Sequence, residues 1–267
     1  MISSISNLAP ETARGLKGVF FDIDDTFTSS GRIPAAAFKA LWNLKEAGLT
    51  VVPVTGRPAG WCDHIARMWP VDGVIGENGA FYFWYDDEAS RLCRRYMDPL
   101  SVRKANSRKL QKVGEEILRS VPGAGIASDQ AYREADLAID YREDVPALGP
   151  GAVAEICRIF RHHGAECKVS SIHINGWFGR YDKLAMIEIF LLERFEMEFS
   201  EWRENFLFCG DSPNDEPLFK AFPFSVGVRN ILDFTGVMNH LPGFITEEAG
   251  GYGFAELVDC LLHHRKP

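Results

Sequence analysis

Short apolar runs, separated by stretches of helical period, open this chain. Residues 19–21 form such a run within a strand expected over 19–23, and residues 51–54 form another. Between them, residues 35–47 place Phe38, Leu41 and Trp42 at helical spacing, with Gly48 suited to close the helix. A helix over 61–69 and a short strand over 73–76 follow. Strands that alternate with helices in this way predict a parallel sheet with right-handed crossovers. The last third resumes the rhythm. Residues 182–194 carry Leu184, Ile187 and Leu191 on one helical face, 206–209 and 225–228 read as buried strands, and Phe254, Leu257, Val258, Leu261 and Leu262 mark a closing amphipathic helix.

The middle has a different texture. Residues 80–85 are aromatic and strand-like, 99–121 form a charged helix, 137–141 a strand, 152–162 a helix and 168–175 an alternating strand. This pattern suits an antiparallel sheet with helices on one face. The expected fold is therefore α/β, a doubly wound parallel, Rossmann-like three-layer core with an inserted smaller α+β cap domain. Core segments are expected at 1–82 and 180–267, with the insert at 83–179.

Polar residues interrupt the pattern where strands should end. Asp22, Asp24 and Asp25 directly follow Val19-Phe20-Phe21, and Thr55-Gly56-Arg57 follows the second strand. Lys183 opens a helix, and Asp211 with Asn214 and Asp215 follows Phe206-Leu207-Phe208-Cys209-Gly210. In a doubly wound sheet the carboxyl ends of the strands share one edge, where ligands bind, so these groups would converge. Clustered carboxylates can hold Mg²⁺, and a lysine with a hydroxyl can hold phosphate oxygens. One aspartate can attack phosphorus while another moves protons. Plainer readings exist for each group: an aspartate-rich turn, Thr55 as a helix cap, Lys183 as a solvated first-turn residue, and Arg57 in a surface ion pair or on a substrate.

Composition narrows the classes. The 267 residues are 46% hydrophobic and 25% charged, with net charge −8 and pI about 5.4. No basic excess is available for nucleic acid or an anionic membrane. No run approaches the roughly 20 apolar residues of a membrane span, and the N-terminus lacks signal-peptide character. Six scattered cysteines without a C-x-x-C pair fit reduced thiols in a cytoplasmic protein. The histidine pairs His162-His163 and His263-His264 read as solvated helix ends. The expected partner is a small phosphorylated metabolite, and the apolar content marks no oligomer interface.

These motifs resemble the haloacid dehalogenase superfamily of phosphotransferases. Its Asp-x-Asp-x-Thr, Thr, Lys and Gly-Asp-x-x-Asn-Asp elements are matched by Asp22-Ile23-Asp24-Asp25-Thr26, Thr55, Lys183 and Gly210-Asp211-Ser212-Pro213-Asn214-Asp215. The long insert and Glu77-Asn78-Gly79-Ala80 are similar to the type IIB branch, with its C2B cap and its Cof-like and sugar-phosphate phosphatases. The resemblance implies a phosphatase in which Asp22 is nucleophile and metal ligand, and Asp24 is general acid/base and lends a backbone carbonyl to the metal. It implies that Thr55, Gly56 and Lys183 bind phosphate, that Asp211 completes the Mg²⁺ ligands, and that Asn214 and Asp215 orient the metal's waters and the lysine. Which aspartate attacks comes from the resemblance alone.

The insert supplies the substrate candidates. Asn78 lies at its start, and Ser171, His173 and Asn175 would share one strand face, either lining the cleft or solvated. Trp177-Phe178 reads as a packing anchor rather than a sugar platform. Arg133 and Arg142 can grip an anion or pair with Glu134 and Glu143. The expected reaction is Mg²⁺-dependent hydrolysis of a phosphomonoester such as a sugar phosphate. The alternatives are a phosphomutase of the phosphomannomutase kind, a receiver-type signalling domain or a non-catalytic phosphate-binding protein.

Overall fold

The computed structural model describes residues 2–170 and 172–265. Its largest sheet contains six parallel strands in the order β1 (Ser3–Ser4), β13 (Phe244–Ile245), β12 (Phe224–Gly227), β11 (Phe206–Gly210), β2 (Gly18–Phe21) and β3 (Thr50–Pro53). The central strands β2 and β11 are apolar at nearly every position because helices cover both faces. Alternation along the strands divides those faces. Val19, Phe21, Leu207 and Cys209 pack with α1 (Pro10–Gly15), α2 (Ala35–Glu46) and α9 (Gly250–Arg265). Phe20, Phe206 and Phe208 point the other way, against α6 (Lys183–Phe195), α7 (Phe199–Trp202) and α8 (Glu216–Ala221). The core is the expected three-layer, doubly wound α/β fold.

A parallel bridge between Val54 and Ile75 carries this sheet on to β4 (Val74–Gly76). There β5 (Phe81–Asp86) and β6 (Arg91–Tyr96) add an antiparallel hairpin. The expected division at 82/83 falls inside β5, which pairs with β4 at the core's edge. Phe81 and Phe83 stack with centroids 4.3 Å apart and pack beside α3 (Ala59–Met68).

The second sheet is antiparallel, in the order β7 (Gly125–Ile126), β8 (Asp136–Asp140), β10 (His173–Trp177) and β9 (Glu166–Val169). The expected single strand over 168–175 is instead a hairpin, with β9 ending at Val169 and β10 starting at His173. Ser170 makes the reversal: its hydroxyl accepts from His173 N at 3.0 Å, and its amide donates to the His173 carbonyl at 2.8 Å. Ser171 lies outside the described residues, while His173 and Asn175 do share a face of β10. Leu137, Ile139 and Ile174 occupy the opposite face, beneath α4 (Leu100–Ser120) and α5 (Pro150–His162). The polar face is left toward the main sheet. Among the described residues no helix is long and apolar enough to cross a membrane.

Candidate active site

Three parallel strands deliver the motif residues to one point. Asp22 follows β2, Thr55 lies just beyond β3, and Asp211 follows β11. The strands β2 and β11 are neighbours, yet the chain leaves them in opposite directions, so the point is a topological switch. Lys183 arrives as the first residue of α6, whose N-cap Asp182 accepts from Ala185 N at 2.8 Å. Its Nζ donates to Asp22 Oδ1 at 2.6 Å and to Asp215 Oδ1 at 2.9 Å, with all three residues buried. Lys183 is therefore no solvated first-turn residue.

The other carboxylates are fixed with equal economy. Asp215 Oδ2 accepts from Asp211 N at 3.2 Å, so both its oxygens are occupied. The Thr26 hydroxyl donates to Asp211 Oδ1 at 2.8 Å, and the Asn230 amide reaches Asp211 Oδ2 at 3.4 Å. Gly210 allows this closeness, because a Cβ there would lie 2.5 Å from Asp215 Oδ2. Asp24 is gripped by Arg57, with Nη2 to Oδ1 at 2.7 Å and Nε to Oδ2 at 3.0 Å. Arg57 is buried against the Trp61 ring, 4.5 Å from its centroid, rather than placed in a surface ion pair. Thr55 is fully buried, and its hydroxyl accepts from Arg57 N at 3.0 Å. Asp25 has φ 58° and donates its amide to the Thr28 hydroxyl, so it shapes the turn.

Electrostatics follow from three buried carboxylates facing one lysine. Burial pushes Asp22 up to about 7; Lys183 opposes the shift, and Asp215 and Asp24 add to it. Burial and Asp215 likewise hold Asp211 well above the usual carboxylate range. Burial would lower the Lys183 ammonium, but Asp215 and Asp22 outweigh it and hold it above the ordinary lysine range. The cluster has excess negative charge that a cation would relieve. Oxygens of Asp22, Asp211 and Asp215 lie within 4.8 Å of one another, a set of hard donors that fits a divalent ion. Asp215 is turned toward Lys183 and Asp211 N, while Asp22 Oδ2 accepts no hydrogen bond from the described residues.

The insert closes a cavity of about 860 Å³ over these groups. Its lining includes Asp22, Asp24, Gly56, Asn78, Lys183 and Asp211 from the core, and His173, Asn175 and Lys168 from the insert. His173 Nε2 lies 2.8 Å from Glu143 Oε2 without hydrogen-bonding geometry, and burial lowers its pKa. The Asn175 amide donates to Asp136 Oδ2 at 2.9 Å. Asn214 differs from expectation: its side-chain amide donates to the Val169 carbonyl at 2.7 Å, joining the loop of Asp215 to the β9–β10 hairpin. Trp177 is buried beside Tyr181 and serves as a packing anchor.

Two groups join the insert to the core in a way the sequence did not foretell. Glu77 is completely buried, with φ 43°. Its Oε1 accepts from Ala59 N and Glu134 N, each at 2.9 Å, and its Oε2 from Ala135 N at 2.6 Å and Asp136 N at 3.1 Å. Arg133, read as an anion grip or a partner of Glu134, instead forks onto Asp129 and donates to Asp136 Oδ1 and the Gly56 carbonyl, each at 3.0 Å. The signal for Glu77 was its place before Asn78 and Gly79, where three successive residues have positive φ.

A family model described as haloacid dehalogenase-like hydrolase matches residues 19–115. The matched segment, which carries Asp22, Asp24 and Thr55, is similar to that family. The chain is 28% identical over 253 residues to a phosphoglycolate phosphatase of Methanoculleus marisnigri, covering 91% of this chain and 95% of that one. Its fold is shared with a Thermoplasma acidophilum protein at TM-score 0.70 and 20% identity, covering 92% and 98% of the two chains. A sugar phosphatase described as subclass IIB matches at TM-score 0.56 and 16% identity, again covering 92% and 98%. These likenesses show the fold, and the match to the hydrolase family model agrees with the phosphatase chemistry that the sequence motifs lead one to expect.

Proposed function

We propose that this hydrolase is a Mg²⁺-dependent phosphomonoesterase working through an aspartyl-phosphate on a small phosphorylated metabolite. The observation that carries the reading is the clustering of Asp22, Asp211 and Asp215, with Lys183 bonded to the first and last, at the floor of the cavity. An Asp22 carboxylate oxygen attacks phosphorus, and the bond from phosphorus to the substrate's alcohol oxygen breaks. Asp24 gives its proton to that oxygen, with Arg57 fixing the carboxyl's direction. Asp24 then takes a proton from water, whose oxygen attacks phosphorus and releases Asp22 and inorganic phosphate. Lys183, Thr55 and the backbone at Gly56 hold the transferring group. Mg²⁺ bound by Asp22 and Asp211, with the Asp24 carbonyl, would offset charge on the phosphoryl oxygens.

Sugar phosphates are one substrate class, supported by the polar lining and the named activity of the subclass IIB neighbour. A phosphorylated hydroxy acid is the second, favoured by the phosphoglycolate phosphatase relative, which matches along nearly the whole chain. The test is hydrolysis of a panel of phosphomonoesters with Mg²⁺, with EDTA, and with Asp22→Asn. Wild type should turn over at least one ester, EDTA should stop it and Mg²⁺ restore it, and the variant should neither turn over nor take up ³²P covalently. Near-normal activity in Asp22→Asn would sink the mechanism.

A further inference from the structure

Four cations line the cavity from buried or half-buried positions, and three have carboxylate partners. Arg57 holds Asp24, Arg133 holds Asp129 and Asp136, and Lys183 holds Asp22 and Asp215. Lys168 is the fourth. Among the described residues it has no carboxylate partner, and its ammonium donates only to the Asn214 carbonyl, at 3.5 Å. A cation withdrawn from water with no counter-charge in contact is costly, so its retention points to an anion that arrives from outside.

The sheet register settles where Lys168 faces. It is directly opposite Asn175, which is opposite Ala138, so these three share one face. That face carries Asp136, Asp140, His173 and Asn175, with Glu166 at its exposed end, while Leu137, Ile139 and Ile174 face the helices. The other buried charges on the polar face are answered. Asp136 has Arg133 and Asn175, Asp140 accepts from three backbone amides, and His173 lies beside Glu143. Lys168 alone is left to look across the cavity toward the loop of Asn214. Burial and the positive charge of Lys183 lower its amine, and Asp215, Asp182 and Asp22 offset this only in part from beyond contact, so a ligand anion would be welcome there.

We propose that Lys168 is a specificity-determining residue that binds a carboxylate on the alcohol portion of the substrate, while Lys183 and Thr55 hold the phosphoryl group. The inference rests on the phosphatase reading and deepens it: the preferred ester carries a second anion. Arg142 and Arg161 also line the cavity, from exposed positions, and add positive potential to it.

Two esters that differ in one group test this, 2-phosphoglycolate and 2-hydroxyethyl phosphate, each assayed with wild type, Lys168→Met and Lys168→Arg. Wild type should favour 2-phosphoglycolate. Lys168→Met should lower kcat/KM for it about 10- to 100-fold, mainly through KM, as expected for loss of a charge-assisted hydrogen bond. The same variant should leave 2-hydroxyethyl phosphate within about threefold, and Lys168→Arg should recover part of the preference. Equal losses on both esters would place Lys168 on the phosphoryl group and overturn the proposal, as would a wild type indifferent to the carboxylate. Hydrolysis of neither ester nor any other phosphomonoester would overturn the phosphatase reading as well, so the two failures are separable.

Discussion

Replacing Glu77 by glutamine probes the joint between the two sheets. The native carboxylate accepts from four backbone amides, Ala59 N and Glu134 N at Oε1 and Ala135 N and Asp136 N at Oε2, with Glu134 N also 3.2 Å from Oε2. A glutamine has only one acceptor oxygen. It would turn that oxygen to the Ala135 and Asp136 amides, leaving its NH₂ against Ala59 N, donor to donor. A buried donor left without an acceptor costs about 1–3 kcal/mol, so Glu77→Gln should lose about 2 kcal/mol. At roughly 2–4 °C per kcal/mol for a chain of this size, the melting midpoint should fall by about 4–8 °C. Glu77→Ala orphans all four amides and should lose at least about 4 kcal/mol. Calorimetry gives the midpoint, and hydrogen exchange should quicken at Ala59 in Glu77→Gln and at all four amides in Glu77→Ala. A glutamine variant that melts within 1 °C of wild type, with exchange unchanged at Ala59, would refute the reasoning.

Two further outcomes follow from the same geometry. Gly210→Ala should push Asp215 off the Asp211 amide and Lys183, because the new Cβ would sit 2.5 Å from Asp215 Oδ2; turnover should drop roughly 100-fold, and a fully active variant would contradict it. In metal-free protein, Asp22 has its carboxyl raised from 3.8 to about 7. Its contribution to stability is complete below pH 3.8 and is lost as pH rises through about 7, because the fold binds the proton more tightly than the unfolded chain. Urea midpoints in EDTA at pH 5 and pH 8 should therefore differ less in Asp22→Asn than in wild type. An identical difference in both proteins would remove Asp22 as the cause.

The three-layer core was legible because β2 and β11 are continuous apolar runs and their polar successors mark the strand ends. The motif residues were legible for the same reason, since topology alone brings Asp22, Thr55 and Asp211 to one edge. The β9–β10 hairpin was misread as one strand because Ser170 reverses the chain without a Gly or Pro to announce it. Short strands such as β1, β7 and β13 have two residues each and no period to detect. Arg133 and Glu77 were hidden for another reason. Each binds backbone groups distant in sequence, and a charged residue that satisfies peptide amides or carbonyls has no partner motif to search for.

The insert sets a pleated wall, not a helix or loop, opposite the reacting groups. In such a wall the residues on one face recur at every second position: 136, 138 and 140 on β8, 166 and 168 on β9, and 173, 175 and 177 on β10, of which Lys168, His173 and Asn175 line the cavity. The intervening positions hold the insert together beneath α4 and α5. Recognition and folding are thus interleaved along the same strands but written in separate letters, so one set can be exchanged while the other is left unread.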